Sequence, residues 1–179
     1  MGSPKRLAAY CVGTSLLFVS LVTASAQAKD PQHGTWVQNL DKSACVLVLN
    51  GARCDPPPKV PTTRTFEDLG NGFIYVANDG VNAEGTPTGN RIVYRRDGRD
   101  YPIASRGQQD YVTISFVTKS MKPFATEYVT KIDGEISGRS QETISEDGKT
   151  YTTTTRGNNA RGQAFTNVTV FEKVTPSTN

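Results

Sequence analysis

From residue 30 onward, short runs rich in Val, Ile, Thr, Tyr and Phe alternate with turn residues at intervals of roughly a dozen positions. That pattern predicts antiparallel strands near Thr35–Asn39, Val46–Leu49, Thr63–Asp68, Phe73–Ala77, Arg91–Arg95, Val112–Thr118, Phe124–Ile132, Ile136–Ile144, Tyr151–Arg156 and Asn167–Val174. The breaks between them carry Gly70-Asn71-Gly72, Glu84-Gly85, Asp97-Gly98, Asp133-Gly134 and Asp147-Gly148. Asp-Gly pairs favour the positive-φ turns whose twist matches that of flanking strands. The run Thr152-Thr153-Thr154-Thr155 favours strand over helix. No sustained 3.6-residue apolar period follows residue 29, so helix should be scarce.

Many strands joined by tight turns, without a long crossover, predict an all-β domain. An antiparallel up-and-down β-barrel is the first choice, because closure removes exposed strand edges; a β-sandwich is the alternative. The Pro-rich stretch Pro56-Pro57-Pro58-Lys59-Val60-Pro61 lies too near the start to divide two domains and reads as a stiff connection across one end.

The N-terminus obeys a different pattern. Lys5 and Arg6 precede a mostly apolar run from Leu7 to Val22, and Ala24, Ala26 and Ala28 give small-x-small exits. These are the parts of a cleaved secretory signal over residues 1–28, leaving residues 29–179 as a single domain, exported to a periplasm or the extracellular space. The apolar run is diluted by Gly13, Thr14, Ser15 and Ser20, so no stable membrane span is expected once the signal is removed. Loss of Lys5 and Arg6 lowers the net charge from +3 to +1, and no nucleic-acid partner is expected. The cluster Arg91, Arg95, Arg96 and Arg99 is interrupted by Asp97 and Asp100 and reads as a solvated strand side and turn.

Cys11 leaves with the signal; Cys45 and Cys54 remain, an even pair that predicts a disulfide after export. With His33 as the only histidine, no metal centre is expected, and nothing in the chain calls for a cofactor. The carboxylate pairs Glu142 with Glu146 and Asp97 with Asp100 lie beside turns, where solvated acids are ordinary, so no catalytic residues are assigned and the chain reads as a non-enzyme. Asn167-Val168-Thr169 matches a glycosylation sequon but falls inside a predicted strand.

Gly34-Thr35-Trp36 resembles the opening of lipocalins, and Val168-Thr169-Val170-Phe171-Glu172-Lys173 resembles the last strand of fatty-acid-binding proteins. Thr63-Arg64-Thr65-Phe66-Glu67-Asp68, Asp97-Gly98-Arg99-Asp100-Tyr101-Pro102 and Ser145-Glu146-Asp147-Gly148-Lys149-Thr150 are similar to segments of exported bacterial lipocalin-like proteins of unassigned function. The resemblance implies a barrel of eight to ten strands, a cavity for a small apolar ligand, and a Trp36 that plugs the closed end. It also implies a lumen lined by Phe165, Asn167, Thr169 and Phe171. Two departures stand out: Thr169 and Phe171 occupy the positions of the family's Arg-x-Tyr carboxylate clamp, and the paired lid helices have no counterpart. A carboxylate ligand would therefore need a cation from another strand, for which Arg64, Arg91 and Arg106 are candidates. The function expected is carriage of a small apolar ligand; the alternative is a protein-interaction module using the Cys45–Cys54 loop, with its Val46–Leu49 apolar run, to hold a protein partner.

Exported protein should begin at Gln27 or Lys29, as intact-mass measurement will show. A membrane-bound chain retaining Lys5 and Arg6 would exclude the signal reading.

Overall fold

Alternate side chains along a strand point to opposite faces, and in the computed structural model the buried positions of successive strands converge on one interior. The structure describes residues 30–54, 59–82, 84–106, 112–121, 124–159 and 161–175; the predicted signal and Pro56-Pro57-Pro58 lie outside them. The first meander contains β1 (Gly34–Leu47), β2 (Thr63–Gly70), β3 (Phe73–Val81) and β4 (Pro87–Tyr94). Two short strands follow, β5 (Asp100–Pro102) and β6 (Ala104–Arg106). The second meander contains β7 (Val112–Met121), β8 (Phe124–Ile132), β9 (Glu135–Ile144), β10 (Thr150–Asn158) and β11 (Ala164–Lys173). No helix among the described residues is long and apolar enough to cross a membrane.

These eleven strands form one antiparallel sheet in the order β5-β7-β8-β9-β10-β11-β1-β2-β3-β4-β6, curled into a nearly closed barrel. Its seam is bridged by residues 100–106, whose exposure alternates with period two straight through Ile103. Asp100–Pro102 pairs with β7, whereas Ala104–Arg106 pairs with β4. One kinked stretch thus counts as two strands, which takes the total slightly above the eight to ten expected. The sequence pattern missed it because three-residue segments are too short for alternation to register. The strand expected at Thr35–Asn39 and the first half of that expected at Val46–Leu49 are one strand, β1, interrupted by an irregularity, while Val48 and Leu49 lie in the turn beyond it. Asn39 opposes Val170 and Ala44 opposes Val168, so residues 40–43 face Thr169 alone. Ser43 holds this bulge: its Oγ donates to the Asn39 carbonyl at 2.6 Å and accepts from the Val170 amide at 3.1 Å.

The aromatic core fills one end. Trp36, Phe66, Tyr94, Phe116, Phe124, Tyr151 and Phe171 are buried there with Ile74, Ile92 and Ile144. Trp36 and Tyr151 ring centroids lie 5.5 Å apart, and Tyr94 stacks on Phe116 at 3.8 Å. The lead-in closes the end from below: Trp36 Nε1 donates to the Gln32 carbonyl at 2.9 Å, and Lys173 Nζ sits 4.8 Å from the indole. Trp36 is the plug that the sequence predicted. Tight curvature elsewhere requires glycine. A Cβ at Gly157 would lie 2.5 Å from the Ser137 carbonyl oxygen, closer than any side chain can be accommodated without moving backbone.

At the other end, β1 runs into a small return hairpin. Val46 bridges Arg53, the Leu47 amide donates to Ala52 at 2.7 Å, and the Cys45–Cys54 disulfide closes the base with Cα atoms 5.4 Å apart. The closed loop is short and lies outside the core, so the bridge steadies a tip without holding the barrel. Replacing both cysteines with Ala should leave the β-type circular dichroism spectrum unchanged. The chain-entropy model puts the loss at about 2.5–3 kcal/mol, and scanning calorimetry should show it as a melting point lower by roughly 5–10 °C. Complete unfolding of the double variant would contradict this division of labour.

Candidate functional site

The inward positions of β9 are Gly138, Ser140, Glu142 and Ile144, all buried. Alternation therefore delivers a carboxylate into the interior, and β2 delivers a cation by the same rule, placing Arg64 two residues from inward Phe66. Arg64 Nη1 stands 3.7 Å from Glu142 Oε1, with the Glu142 side chain 4% exposed and that of Arg64 18%. Around them a continuous polar chain runs through the barrel. Arg64 Nη1 donates to the Tyr151 hydroxyl at 2.9 Å and to Thr153 at 3.3 Å, and its Nε donates to Asn78, which donates in turn to Asn90 at 2.6 Å. Tyr151 donates a short hydrogen bond to Glu142, and Gln32 Nε2 donates to the other carboxylate oxygen at 3.0 Å. Gln32 also accepts from Arg96, which pairs with Asp30 at 2.7 Å. Beneath Arg64, the Phe171 ring lies 4.8 Å from the guanidinium carbon.

Electrostatics follow from this enclosure. Burial pushes the Glu142 carboxyl above the usual carboxylate range, opposed by Arg64 and by hydrogen bonds from Tyr151 and Gln32. Burial and then the Glu142 charge push Tyr151 well above an ordinary phenol, and the same two causes raise Tyr128. Burial alone would lower the Arg64 value, but Tyr151, Tyr128 and Glu142 outweigh it, so the guanidinium is firmly charged. Burial also raises Tyr94.

Toward the opposite end the interior turns from aromatic to small and polar. Ser140 and Thr155 hydroxyls lie 2.8 Å apart, and Gly138 and Gly157 face each other across β9 and β10. At this end a cavity of about 620 Å³ is lined by inward-facing Tyr128, Gly138, Ser140, Gly157 and Phe165 but also by Glu127, Arg139, Gln141, Arg156 and Thr166 of the outer face, so it straddles the wall of β8 to β11 at the rim and is not confined to the lumen. Its size suits a small organic ligand. Within the barrel, a small hydroxylated interior lies above a charged pair on an aromatic floor.

The predicted lumen residues share one face of β11, in register with inward positions of β10: Phe171 opposite Tyr151, Thr169 opposite Thr153, Asn167 opposite Thr155, Phe165 opposite Gly157. They are not equivalent. Phe171 is buried in the floor, Thr169 and Asn167 are half-buried, and Phe165 lines the cavity. Of the three candidate cations, Arg64 is interior. Arg91 lies on the outer face with Asp79 at 2.6 Å, and Arg106 is exposed. Two readings of solvated charge are corrected. Glu142 is buried, because strand alternation outweighs its nearness to the turn at Ser145. Arg96 is buried as well, because the Asp30–Gln32 lead-in folds beneath the barrel and covers it. Period-two counting along β9 would have found Glu142; nothing in the sequence signals the lead-in. Among the described residues no group of His, Cys, Asp and Glu side chains is arranged to hold a metal.

No protein-family model matches this chain, and no curated protein matches it. Among solved structures it is similar to a de novo designed fluorescence-activating β-barrel, with 13% identity, coverage of 81% of this chain and 98% of that one, and a TM-score of 0.34. So loose a superposition has no bearing on function; the barrel rests on the strand pairing itself.

A buried pair broken on one side leaves an uncompensated group. Arg64→Met should cost about 3–5 kcal/mol in urea unfolding, whereas Arg64→Met with Glu142→Gln should cost clearly less than the two single losses combined. Strict additivity would show that the two groups do not interact. The pH dependence has a defined sign. Because the folded state raises the Glu142 value, its contribution is full below the unfolded value near 4.5 and is lost as pH rises through the folded one. The stability of the native protein relative to Glu142→Gln should therefore fall from acid toward neutral pH.

Proposed function

We propose that the protein is an exported, non-catalytic carrier, or sensor, of a small neutral molecule with an apolar body and a hydrogen-bonding head. On this reading it belongs with the lipocalin-like barrels that its opening and closing strands resemble. The observation that carries it is an open cavity of about 620 Å³ at the rim, where Phe165, Val48, Tyr128 and Ser140 meet the polar outer-face side chains of Arg139, Gln141 and Arg156. Aromatic and aliphatic groups beside a few placed polar ones are the usual composition of small-molecule sites. Neutrality of the ligand follows from Arg64. The interior cation already faces Glu142 at 3.7 Å, so an entering carboxylate would meet a carboxyl group and find no free guanidinium. The non-catalytic reading is supported by the same contacts: both Glu142 oxygens are engaged, by Tyr151 and by Gln32, deep below the rim. Export accords with the signal pattern and with the Cys45–Cys54 disulfide.

Calorimetric titration at neutral pH with a long-chain fatty acid and the corresponding alcohol tests the proposal. The alcohol should bind at least as tightly as the acid. An acid that binds tenfold tighter, and loses that margin in Arg64→Met, would reveal a carboxylate clamp; binding of neither would remove the carrier role.

A further inference from the structure

We infer that the open end of the barrel docks on a bilayer surface bearing anionic headgroups, with the disulfide-clamped hairpin as its wedge. Among the described residues, nine large apolar side chains are exposed, and five of them stand at this end: Val46, Val48, Leu49, Ile132 and Ile136. Leu49 is 97% exposed and Val48 64% exposed. They are held out by construction. The disulfide closes the hairpin base, the Gly51 amide donates back to Leu47 at 2.9 Å, and the Val48 amide donates to Ala164 at 2.9 Å. The tip therefore cannot relax by folding its apolar residues back onto the wall.

A row of arginines lies beside the tip. On the outer face, Arg139 of β9 stands directly opposite Arg156 of β10; Arg156 opposes Thr166, Thr166 opposes Val46, and Val46 bridges Arg53. Arg161 lies in the turn just before Ala164. All four arginines are exposed, and among the described residues none of them forms an ion pair, nor do Glu127, Asp133 and Glu135, which share this part of the wall. Like charges directly opposed across two strands are destabilising. An anionic surface would relieve that repulsion.

A bilayer suits this surface better than a folded partner does. The projecting tip itself, Val48 and Leu49, is far smaller than the roughly 1,000 Å² that a specific protein interface needs. A fluid headgroup layer requires no matching pocket, accepts Leu49 and Val48 into its acyl boundary, and rewards each nearby arginine about fivefold in affinity. Val48 and the arginine pair also line the rim cavity, so docking would bring that cavity against the lipid. The docking surface does not depend on what the lumen holds, and lumen titrations with soluble ligands contain no vesicles, so either reading can fail alone.

Sedimentation with phosphatidylcholine vesicles, with and without phosphatidylglycerol, at low salt tests it. The native protein should partition onto the anionic vesicles and not the neutral ones. Leu49→Ser should weaken partitioning about tenfold or more, and Arg139→Gln with Arg156→Gln should weaken it about ten- to thirtyfold, with melting points near native in both. In a separate variant, Leu49→Trp, emission should shift to the blue when anionic vesicles are added. Absence of partitioning, equal partitioning onto neutral vesicles, or indifference to both sets of substitutions would overturn the inference. So would retention on an acidic protein or nucleic-acid matrix without vesicle binding, which would reassign the arginine row.

Discussion

The first strand and the last hold the barrel together. The two meanders each fold locally, β2 to β4 on one side and β7 to β11 on the other, and neither could enclose a core by itself. β1 joins them by lying between β11 and β2, with Trp36 opposite Lys173 on one flank and Arg64 on the other. This contact is the most distant in sequence, so its loop-closure cost is met only when the whole interior forms with it. The aromatic floor supplies that interior. Trp36, Phe66, Tyr151 and Phe171 come from β1, β2, β10 and β11, and their mutual packing fixes the register that seats Arg64 against Glu142.

The polar chain through the floor stands because nearly every link has a partner at hand. Arg64 uses Tyr151, Thr153 and Asn78, Glu142 uses Tyr151 and Gln32, and Arg96 uses Gln32 and Asp30. Such a network gives less net stability than an apolar core of equal volume, yet it penalises any register slip that would strand a charge. It also explains how a barrel without the Arg-x-Tyr pair in its last strand still has a cation inside: the cation comes from β2, and its counter-charge comes from β9.

Much of this was legible from residue order. The Asp-Gly turns at Asp133-Gly134 and Asp147-Gly148 and the Thr152–Thr155 run placed β8 to β10 within a residue or two, β11 begins three residues before the expected start, and the resemblance put Trp36 at the closed end. The disulfide followed from cysteine number. What was not legible depended on closure. Arg64 shares a face with Phe66 by alternation, but an arginine on an apolar face reads as an exception until its counter-charge Glu142 arrives from β9. The cover over Arg96 comes from a lead-in without secondary structure. Residues 100–106 alternate in exposure, but Pro102 and the mixed polar residues around it mask that period in the sequence, and the switch of partner from β7 to β4 comes only with closure. Of the four residues proposed for the lumen, alternation put them on one face and the resemblance turned that face inward, but neither ranked depth, and so neither separated Phe171 in the floor from Phe165 at the cavity.

The kinked stretch that bridges the seam has a mechanical meaning. Elsewhere each wall strand is bonded along much of its length, whereas here three residues bond one neighbour and the next three bond the other, with Ile103 bonded to neither ladder. Hoop strength around a cylinder is set by its weakest joint, and local opening is easiest where the fewest backbone bonds must be lost. The circumference can therefore widen at residues 100–106 while the ring of β1, β2, β10 and β11 around Trp36 stays intact. The barrel has a rigid base and an expansion joint in its side.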